Sequence, residues 1–266
     1  MLFRLRTSAF ALGALLLGAS ATNSSALVLD WSAVSWTNQY SNTFDVDPNV
    51  INDITVKMTG NLNRFTNDTT SGVATPAITT TLQGGLGAVP ALQLAANLGT
   101  NSLITVSVDF SAQYTQGVEN VSFTLFDIDA GADLDRIINI YATALDGTTH
   151  LAATISNLGS TVTLTGTGLT QVLSGNAPSP DTSANGNATF SFGANAIIGF
   201  SFSWENSNGP PKYQDIAMGN ISFTPVPEVN PTVAAATACL FAMLAMKVRR
   251  AGLSRCRSVR PRGEKD

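Results

Sequence analysis

The sequence predicts an all-β protein, an antiparallel β-sandwich of jelly-roll type, with an N-terminal signal peptide and a single C-terminal transmembrane helix. Two observations in the middle of the chain predict the sandwich. Apolar residues recur at every second position, and Gly, Pro, Asn and Asp separate the alternating stretches. Two apolar segments near the ends of the chain, each beside basic residues, predict the flanking elements.

Residues 1–26 are expected to be a secretory signal peptide. Arg4 and Arg6 lie near the start, an apolar run follows at residues 9–19, and small residues occupy 19–21. This order is typical of signal peptides, and the apolar run is too short to span a bilayer. We therefore expect export through the Sec pathway, with an uncleaved N-terminal anchor as the alternative.

Residues 27–224 carry the predicted sandwich, with roughly ten to twelve strands. Its stretches LITVSVDF and RIINIYATA show the alternation most clearly, with apolar side chains on one face and Thr, Ser or Asn on the other. Half-buried strands of antiparallel sheets have this pattern. Asp146-Gly147 separates two such stretches and predicts a tight hairpin, since a two-residue turn of this kind needs positive φ at both positions.

The charge distribution argues against a nucleic-acid partner. Residues 27–228 contain four basic and sixteen acidic side chains, whereas the segment from Lys247 onward contains eight basic and two acidic ones. A region this acidic repels a phosphate backbone. The basic groups near the two ends are better explained as signals of membrane topology.

An acidic stretch, DIDAGADLD, is the strongest local feature of the predicted sandwich. Carboxylates crowded in this way suit Ca²⁺, which accepts six to eight oxygen ligands in flexible geometry. The predicted ligands are Asp127, Asp129, Asp135 and, from a distant strand, Asp215, with Glu205 as a further candidate. The EF-hand pattern is not fulfilled, because Gly131 replaces its third acidic ligand. The alternative is a solvated turn in which Arg136 screens one charge. No other cofactor is expected.

Enzyme constellations are sparse, and we predict no catalytic activity. His150 is the only histidine, and no Gly-x-Ser-x-Gly segment accompanies it. Zinc sites need several His or Cys ligands, which residues 27–224 lack. Glycoside hydrolysis needs two carboxylates across a cleft, for which Asp127, Asp129 and Glu205 are candidates. A secreted hydrolase is kept as an alternative on this ground.

Aromatic side chains could form a platform for sugar rings, which makes a carbohydrate-binding module a second alternative. The candidates are Trp31, Trp36, Tyr40, Tyr114, Tyr141, Trp204 and Tyr213. Trp204 ends an alternating apolar strand and is expected in the core. Trp31, Trp36 and Tyr40 lie in the less regular stretch LDWSAVSWTNQY and are candidates for exposure.

Residues 225–266 have the composition of a membrane anchor. Residues 229–246 are uncharged, and Lys247, Arg249 and Arg250 follow them. At about 1.5 Å rise per residue such a run is just long enough to cross the hydrocarbon core. We predict a transmembrane helix at 231–248 and a cytoplasmic basic tail at 249–266. A buried core helix is the alternative.

The order of these parts resembles the PEP-CTERM sorting signal of Gram-negative bacteria. That signal consists of Val-Pro-Glu-Pro, a membrane segment and an arginine cluster, and here Val226, Pro227 and Glu228 precede the apolar segment while Arg249 and Arg250 follow it. The motif spans 226–229, and a valine occupies its fourth position. The resemblance implies processing by an exosortase. It also implies a membrane-anchored intermediate and a final location at the cell surface or in the extracellular matrix.

The middle of the chain is also similar to β-sandwich domains that are common in such proteins. The similar stretches are 122–147 and 199–223. We therefore expect an exported surface protein with a structural or adhesive role in an extracellular polysaccharide or biofilm matrix. Its expected partners are an exosortase-like enzyme, the membrane and exopolysaccharide. A glycan-recognition module and a secreted hydrolase are the alternatives.

Overall fold

The computed structural model describes residues 25–37, 39–131, 133–206 and 209–228. Within these ranges, the residues from 25 to 226 belong to one compact unit. Almost all of the predicted signal peptide, the predicted transmembrane helix at 231–248 and both Arg249 and Arg250 lie outside the described residues. No helix among the residues that are described has the length and apolar character needed to cross a membrane.

The described part of the chain is all-β, as predicted, with two short 3-10 helices at Leu62–Arg64 and Gly168–Thr170. It contains more strands than predicted, because several are only three or four residues long. The strands are β1 (Leu27–Leu29), β2 (Ser41–Phe44), β3 (Ile54–Gly60), β4 (Ala77–Thr79), β5 (Ala91–Leu98), β6 (Leu103–Phe110), β7 (Val118–Phe126), β8 (Asp135–Ala144), β9 (His150–Ala152), β10 (Thr154–Ser156), β11 (Val162–Thr165), β12 (Val172–Gly175), β13 (Ala188–Ser191), β14 (Ile197–Asn206), β15 (Lys212–Met218) and β16 (Ile221–Pro225).

Antiparallel pairing connects these strands into one curled sheet with two halves. The first half, named the β14 sheet, runs in the order β2-β3-β6-β14-β8, with β9 and β12 on the far side of β8 and β11 beyond β12. The second half, named the β7 sheet, runs β4-β5-β15-β7-β13-β10, and β16 and β1 extend it beside β7. Among the described strands, the halves are joined by one residue pair, Ile197 with Val118.

The two halves pack face to face around one apolar core, which confirms the predicted antiparallel β-sandwich. The jelly-roll type stays a prediction. In β6, Ile104, Val106 and Val108 are fully buried, as their alternation predicts. Aromatic rings cross between the halves: Phe123 of the β7 sheet stacks on Phe200 of the β14 sheet with 4.6 Å between ring centroids. Burial of each such side chain stabilises the fold by about 1.5–3 kcal/mol.

The Asp146-Gly147 segment forms a hairpin turn between β8 and β9, as predicted. Gly147 has a φ of 71°, but Asp146 is not in the left-handed region. The turn is longer than the predicted two-residue type, and the Asp146 carboxylate organises it. This carboxylate accepts hydrogen bonds from the backbone N–H groups of Thr148 at 2.9 Å and Thr149 at 2.7 Å.

Candidate functional site

The four predicted calcium ligands come from three neighbouring elements of the fold. Asp127 and Asp129 follow β7, Asp135 begins β8, and Asp215 lies in β15. The strand register aligns Phe126 with Ala217, which brings the end of β7 beside Asp215. The structure therefore brings these carboxyl groups near one another. It also adds Asp181, from the loop before β13, which the sequence did not indicate as part of the group.

We name Asp127, Asp129, Asp135, Asp181 and Asp215 the carboxylate cluster. Burial and mutual repulsion raise the pKa values of its members Asp127 and Asp215. Desolvation raises the pKa of Asp127 to about 8, and the charges of Asp129, Asp215 and Asp181 add to the effect. Desolvation also raises the pKa of Asp215 to about 6, although hydrogen bonds from Tyr213 and Gln93 oppose it. At neutral pH the Asp127 carboxyl is therefore largely protonated.

The members of the cluster differ in how many donors they meet. Asp215 Oδ2 accepts from Gln93 Nε2 at 3.0 Å and from the Tyr213 hydroxyl at 3.1 Å. Asp129 Oδ2 accepts from the backbone N–H of Ser179 at 2.8 Å. The Asp127 side chain is only 8% exposed, and within the described part of the chain it has no hydrogen-bond donor. Of these carboxyl groups, Asp127 is therefore the one whose charged form a bound cation would stabilise most.

Three loops meet around the cluster. The backbone N–H of Ile128 donates to the Gly186 carbonyl at 2.8 Å, and that of Gln83 donates to the Asp181 carbonyl at 2.8 Å. Asn187 Nδ2 donates to the Gly84 carbonyl at 2.9 Å. These bonds connect the segments 81–90, 127–134 and 176–187 into one surface at the end of the β7 sheet.

The described residues include no group of three His, Cys, Asp or Glu side chains placed to hold one metal ion. The calcium site therefore stays a prediction. Glu205, the further candidate ligand, instead pairs with Arg136 at 2.6 Å. Arg136 consequently does not screen the acidic turn, whose Asp133 lies 3.8 Å from Lys212.

A second acidic group lies in the loop between β2 and β3, where the sequence analysis did not identify one. Asp53 is fully buried, and its Oδ2 accepts the backbone N–H groups of Val46 and Asp47. Desolvation raises the pKa of Asp53 despite these bonds. The spacing of aspartates in DVDPNVIND was the available signal. The hydrogen bonds give this carboxylate a structural role in closing the loop.

Of the predicted sorting motif at 226–229, the structure describes the first three residues. Val226 donates its backbone N–H to the Gly117 carbonyl at 3.0 Å, and Pro227 and Glu228 are exposed. Arg249 and Arg250 lie outside the described residues.

Most of the candidate aromatic residues do not offer a free ring. Trp204 is buried in the core, as predicted. Trp31 is 1% exposed, and its Nε1 donates to the Gly219 carbonyl at 2.9 Å, so its expected exposure is wrong. Tyr114 is buried as well. The half-buried rings of Trp36 and Tyr40 pack on Phe44 and Phe65 respectively, and Tyr213 binds the carboxylates of Asp68 and Asp215.

Tyr141 differs from these residues because it projects from the outer face of the β14 sheet. Its half-buried ring stacks on the exposed ring of His150, with 3.9 Å between centroids and 18° between planes. Among the described residues no side chain donates to or accepts from the His150 ring.

Two rows of side chains extend from this pair across the β14 sheet. The strand register aligns Tyr141 with Ser201, Ser107 and Lys57, and aligns Thr143 with Gly199, Asp109 and Thr55. We name the exposed and half-exposed members the polar face: Thr55, Lys57, Ser107, Asp109, Tyr141 and Thr143. It is four strands wide, about 14 Å between the outer strands.

Asp109 and Gly199 occupy one row of the polar face. The Asp109 side chain is exposed. Desolvation raises its pKa, and the Lys57 charge opposes this shift. Gly199 places no side chain in the middle of its row, and a Cβ there would lie only 2.6 Å from the Val108 carbonyl oxygen.

An open groove with a volume of about 250 Å³ lies on the outer face of the β7 sheet. Hydroxyl and amide side chains contribute to its floor, and an apolar segment of the 81–90 loop forms one wall. The lining residues are Leu86, Val89, Pro90, Ser122, Phe123, Thr124, Phe126, Gly219, Asn220 and Ser222. None of these residues is charged.

No family model and no curated protein matches the chain. Three solved structures resemble it weakly. A carbohydrate-binding module with specific mannan recognition is 12% identical, covers 53% of this chain and 76% of its own, and has a TM-score of 0.29. A family 11 carbohydrate-binding module from Clostridium thermocellum, solved with a β-1,3-1,4-mixed-linked tetrasaccharide, is 10% identical, with 72% and 99% coverage and a TM-score of 0.27.

The third similar structure is the family 11 carbohydrate-binding module of the cellulosomal cellulase Lic26A-Cel5E of Clostridium thermocellum. It is 11% identical, covers 79% of this chain and 99% of its own, and has a TM-score of 0.25. Similarity of this degree establishes neither a shared fold nor a shared ligand, and conclusions about binding therefore depend on the surfaces of this chain.

Proposed function

We propose that the chain is an exported, non-catalytic surface protein whose β-sandwich, of jelly-roll type, binds extracellular polysaccharide through the polar face of the β14 sheet. The observation that carries the proposal is the position of Tyr141. Its ring is half-exposed on a sheet face and lies in register with hydroxyl groups and with Lys57, while most other candidate rings are buried or engaged elsewhere.

The chemistry of the polar face suits a sugar chain. A pyranose ring has apolar C–H faces that pack on aromatic rings, and hydroxyl groups around its edge that both donate and accept hydrogen bonds. Tyr141 and His150 offer the aromatic surface. Ser107 and Thr55 offer hydroxyls, Asp109 accepts and Lys57 donates. Binding sites commonly combine an aromatic surface with a few polar groups in this way.

Affinity electrophoresis of the full-length protein in gels that contain soluble polysaccharides tests the proposal, with mannan and mixed-linked β-glucan as the first two. We expect retardation by at least one polymer and a roughly tenfold weaker affinity for Tyr141→Ala, equivalent to about 1.4 kcal/mol. Tyr40→Ala is the matched control, because Tyr40 is also half-buried and stacked on a ring, 5.7 Å from Phe65. Unchanged retardation of Tyr141→Ala would contradict the assignment of this face.

The cellular part of the proposal rests on the signal peptide and on the resemblance to PEP-CTERM signals. An exosortase-like enzyme would recognise Val226, Pro227 and Glu228 while residues 231–248 hold the chain in the membrane, with Arg249 and Arg250 on the cytoplasmic side. The mature protein would then reach the cell surface or the extracellular matrix of a Gram-negative bacterium. Exopolysaccharide at that location is the ligand that the polar face would meet.

Mass spectrometry of protein recovered from the cell surface tests this part separately. We expect the sequence after the Pro227–Glu228 region to be absent from the mature form. A mature chain that still ends at Asp266 would show that the segment is a simple anchor and not a sorting signal.

A further inference from the structure

The groove on the outer face of the β7 sheet is not used by the proposed function. We infer that this groove is a second binding site for an uncharged polysaccharide segment, so that one protein molecule crosslinks two segments of polymer. The inference rests on the proposed function, because it takes polysaccharide binding at the polar face as given.

Three hydroxyl side chains, those of Ser122, Thr124 and Ser222, line the groove, and Ser191 and Thr189 lie beside them on β13. Ser122 of β7 is in register with Ser191 of β13 on one side and with Ser222 of β16 on the other. One step along β7, the Thr124 and Thr189 hydroxyls lie 3.0 Å apart. Hydroxyls donate and accept equally, which matches the alternating donors and acceptors of a sugar chain.

The wall of the groove is apolar and exposed. Leu86 is 63% and Val89 is 39% exposed, although both are large aliphatic side chains. One bond within the segment and one to the loop before β13 hold the wall in place: the backbone N–H of Leu86 donates to the Gln83 carbonyl at 2.9 Å, and that of Gln83 donates to the Asp181 carbonyl at 2.8 Å. The groove is therefore formed before a ligand arrives, which lowers the entropic cost of binding.

The chemistry of the lining identifies the occupant. A charged partner would find no counter-charge, since none of the lining residues is charged. An extended peptide usually binds a sheet by adding a strand to a free edge, but β7 already has β13 on one side and β15 and β16 on the other. A neutral polyhydroxylated chain needs neither a counter-charge nor a free edge.

The two sites lie on opposite sides of the sandwich. The inner faces of the two sheets pack on each other through the Phe123–Phe200 contact, so the polar face and the groove point away from each other. A short oligosaccharide cannot occupy both sites at once. Two binding sites that face apart join separate polymer segments, and the avidity for a polymer then exceeds the affinity of either site.

Native mass spectrometry of the full-length protein with short oligosaccharides of mannan and of mixed-linked β-glucan gives the test. We expect two oligosaccharides per chain for the wild type, and one each for Tyr141→Ala and for Leu86→Ala/Val89→Ala. Turbidity with the intact polymer should fall at least fivefold in both variants. Ile51→Ala is the matched control, because Ile51 is 70% exposed and lies in the distant loop between β2 and β3.

The outcomes separate this inference from the proposed function. One oligosaccharide per wild-type chain, lost in Tyr141→Ala, would overturn the second site and leave the polar face intact. Binding that is lost only in the groove variant would overturn the proposed use of the polar face. Absence of binding by the wild type to every polymer tested would overturn both.

Discussion

The indole Nε1 of Trp204 donates a hydrogen bond of 2.9 Å to Asp135 Oδ1 inside the protein. Asp135 is 2% exposed and Trp204 is fully buried. Asp135 begins β8 and Trp204 lies in β14, so that the bond fixes the start of one central strand to its neighbour. Asp135 also stands at the edge of the carboxylate cluster, and this bond connects the cluster with the core.

Removal of this acceptor should destabilise the fold. We expect Asp135→Ala to lower the free energy of unfolding by about 1–3 kcal/mol, because the buried indole N–H loses its partner. Asp135→Asn keeps an oxygen at the same place and should lose less. Urea denaturation of both variants measures the difference. Equal losses for the two substitutions would contradict the assignment of this stabilisation to the hydrogen bond with Trp204.

The stability of the protein without added cations should decrease as the pH rises. The folded-state pKa values are about 8 for Asp127 and about 6 for Asp215, above the usual 3.8 of an unfolded chain. Both carboxyls thus bind their protons more tightly in the folded state. Their stabilising effect is complete below pH 3.8 and is lost as the pH rises through about 6 and then about 8.

Melting curves between pH 5 and pH 9 check this direction. Asp127→Asn should flatten the upper part of the pH dependence. Asp146→Asn is the control, because hydrogen bonds from Thr149 and Thr148 lower the pKa of Asp146 to about 2, well outside the range. A wild-type melting temperature that rises steadily from pH 5 to pH 9 would contradict the assigned desolvation of Asp127.

Calcium should counteract this loss of stability. A cation beside Asp127 and Asp129 would offset their repulsion, so that millimolar Ca²⁺ should raise the melting temperature of the full-length protein, more at pH 8 than at pH 5. The double variant Asp127→Ala/Asp129→Ala should show no such rise. If Ca²⁺ leaves the wild-type melting temperature unchanged at pH 8, the predicted site does not exist.

Gly175 should be essential for the contact between β12 and the acidic turn. A Cβ at this position would lie 1.8 Å from the Asp129 carbonyl oxygen, so one of the two segments would have to move. We expect Gly175→Ala to cost about 1–3 kcal/mol in the free energy of unfolding. Gly131→Ala is the control, because its Cβ would meet no atom within 4 Å. Equal stability of the two variants in urea would contradict the close approach.

The strands of the core could be predicted from the sequence, whereas the surfaces could not. Alternation in β6 is a local signal, and burial of Ile104, Val106 and Val108 follows from it. The exposure of Trp31 was predicted wrongly because apolar residues have no regular spacing in the stretch LDWSAVSWTNQY. Its burial depends on the Gly219 carbonyl, which lies far away in the sequence.

The candidate sites depend on the same kind of distant contact. Asp127, Asp129 and Asp135 could be named from their type and spacing, and Asp215 as a ligand from a distant strand. Asp181 lies in a loop that is held by a backbone bond from Gln83. Tyr141 was one of seven candidate rings, and the strand register with Ser201 and Ser107 is what distinguishes it. The groove combines a loop with non-adjacent strands, for which no local pattern exists.

Among the described strands, Ile197 with Val118 is the one residue pair between the halves, and it has a consequence for how the sandwich opens. Hydrogen-bonded ladders hold each sheet together internally, but side-chain packing is the main attraction between the sheets. Apolar attraction weakens on cooling. Cooling should therefore weaken the contact between the sheets before the strand ladders within either sheet open. Protection from amide exchange, relative to the intrinsic rate near 0 °C, should fall first at residues beside Ile197 and Val118.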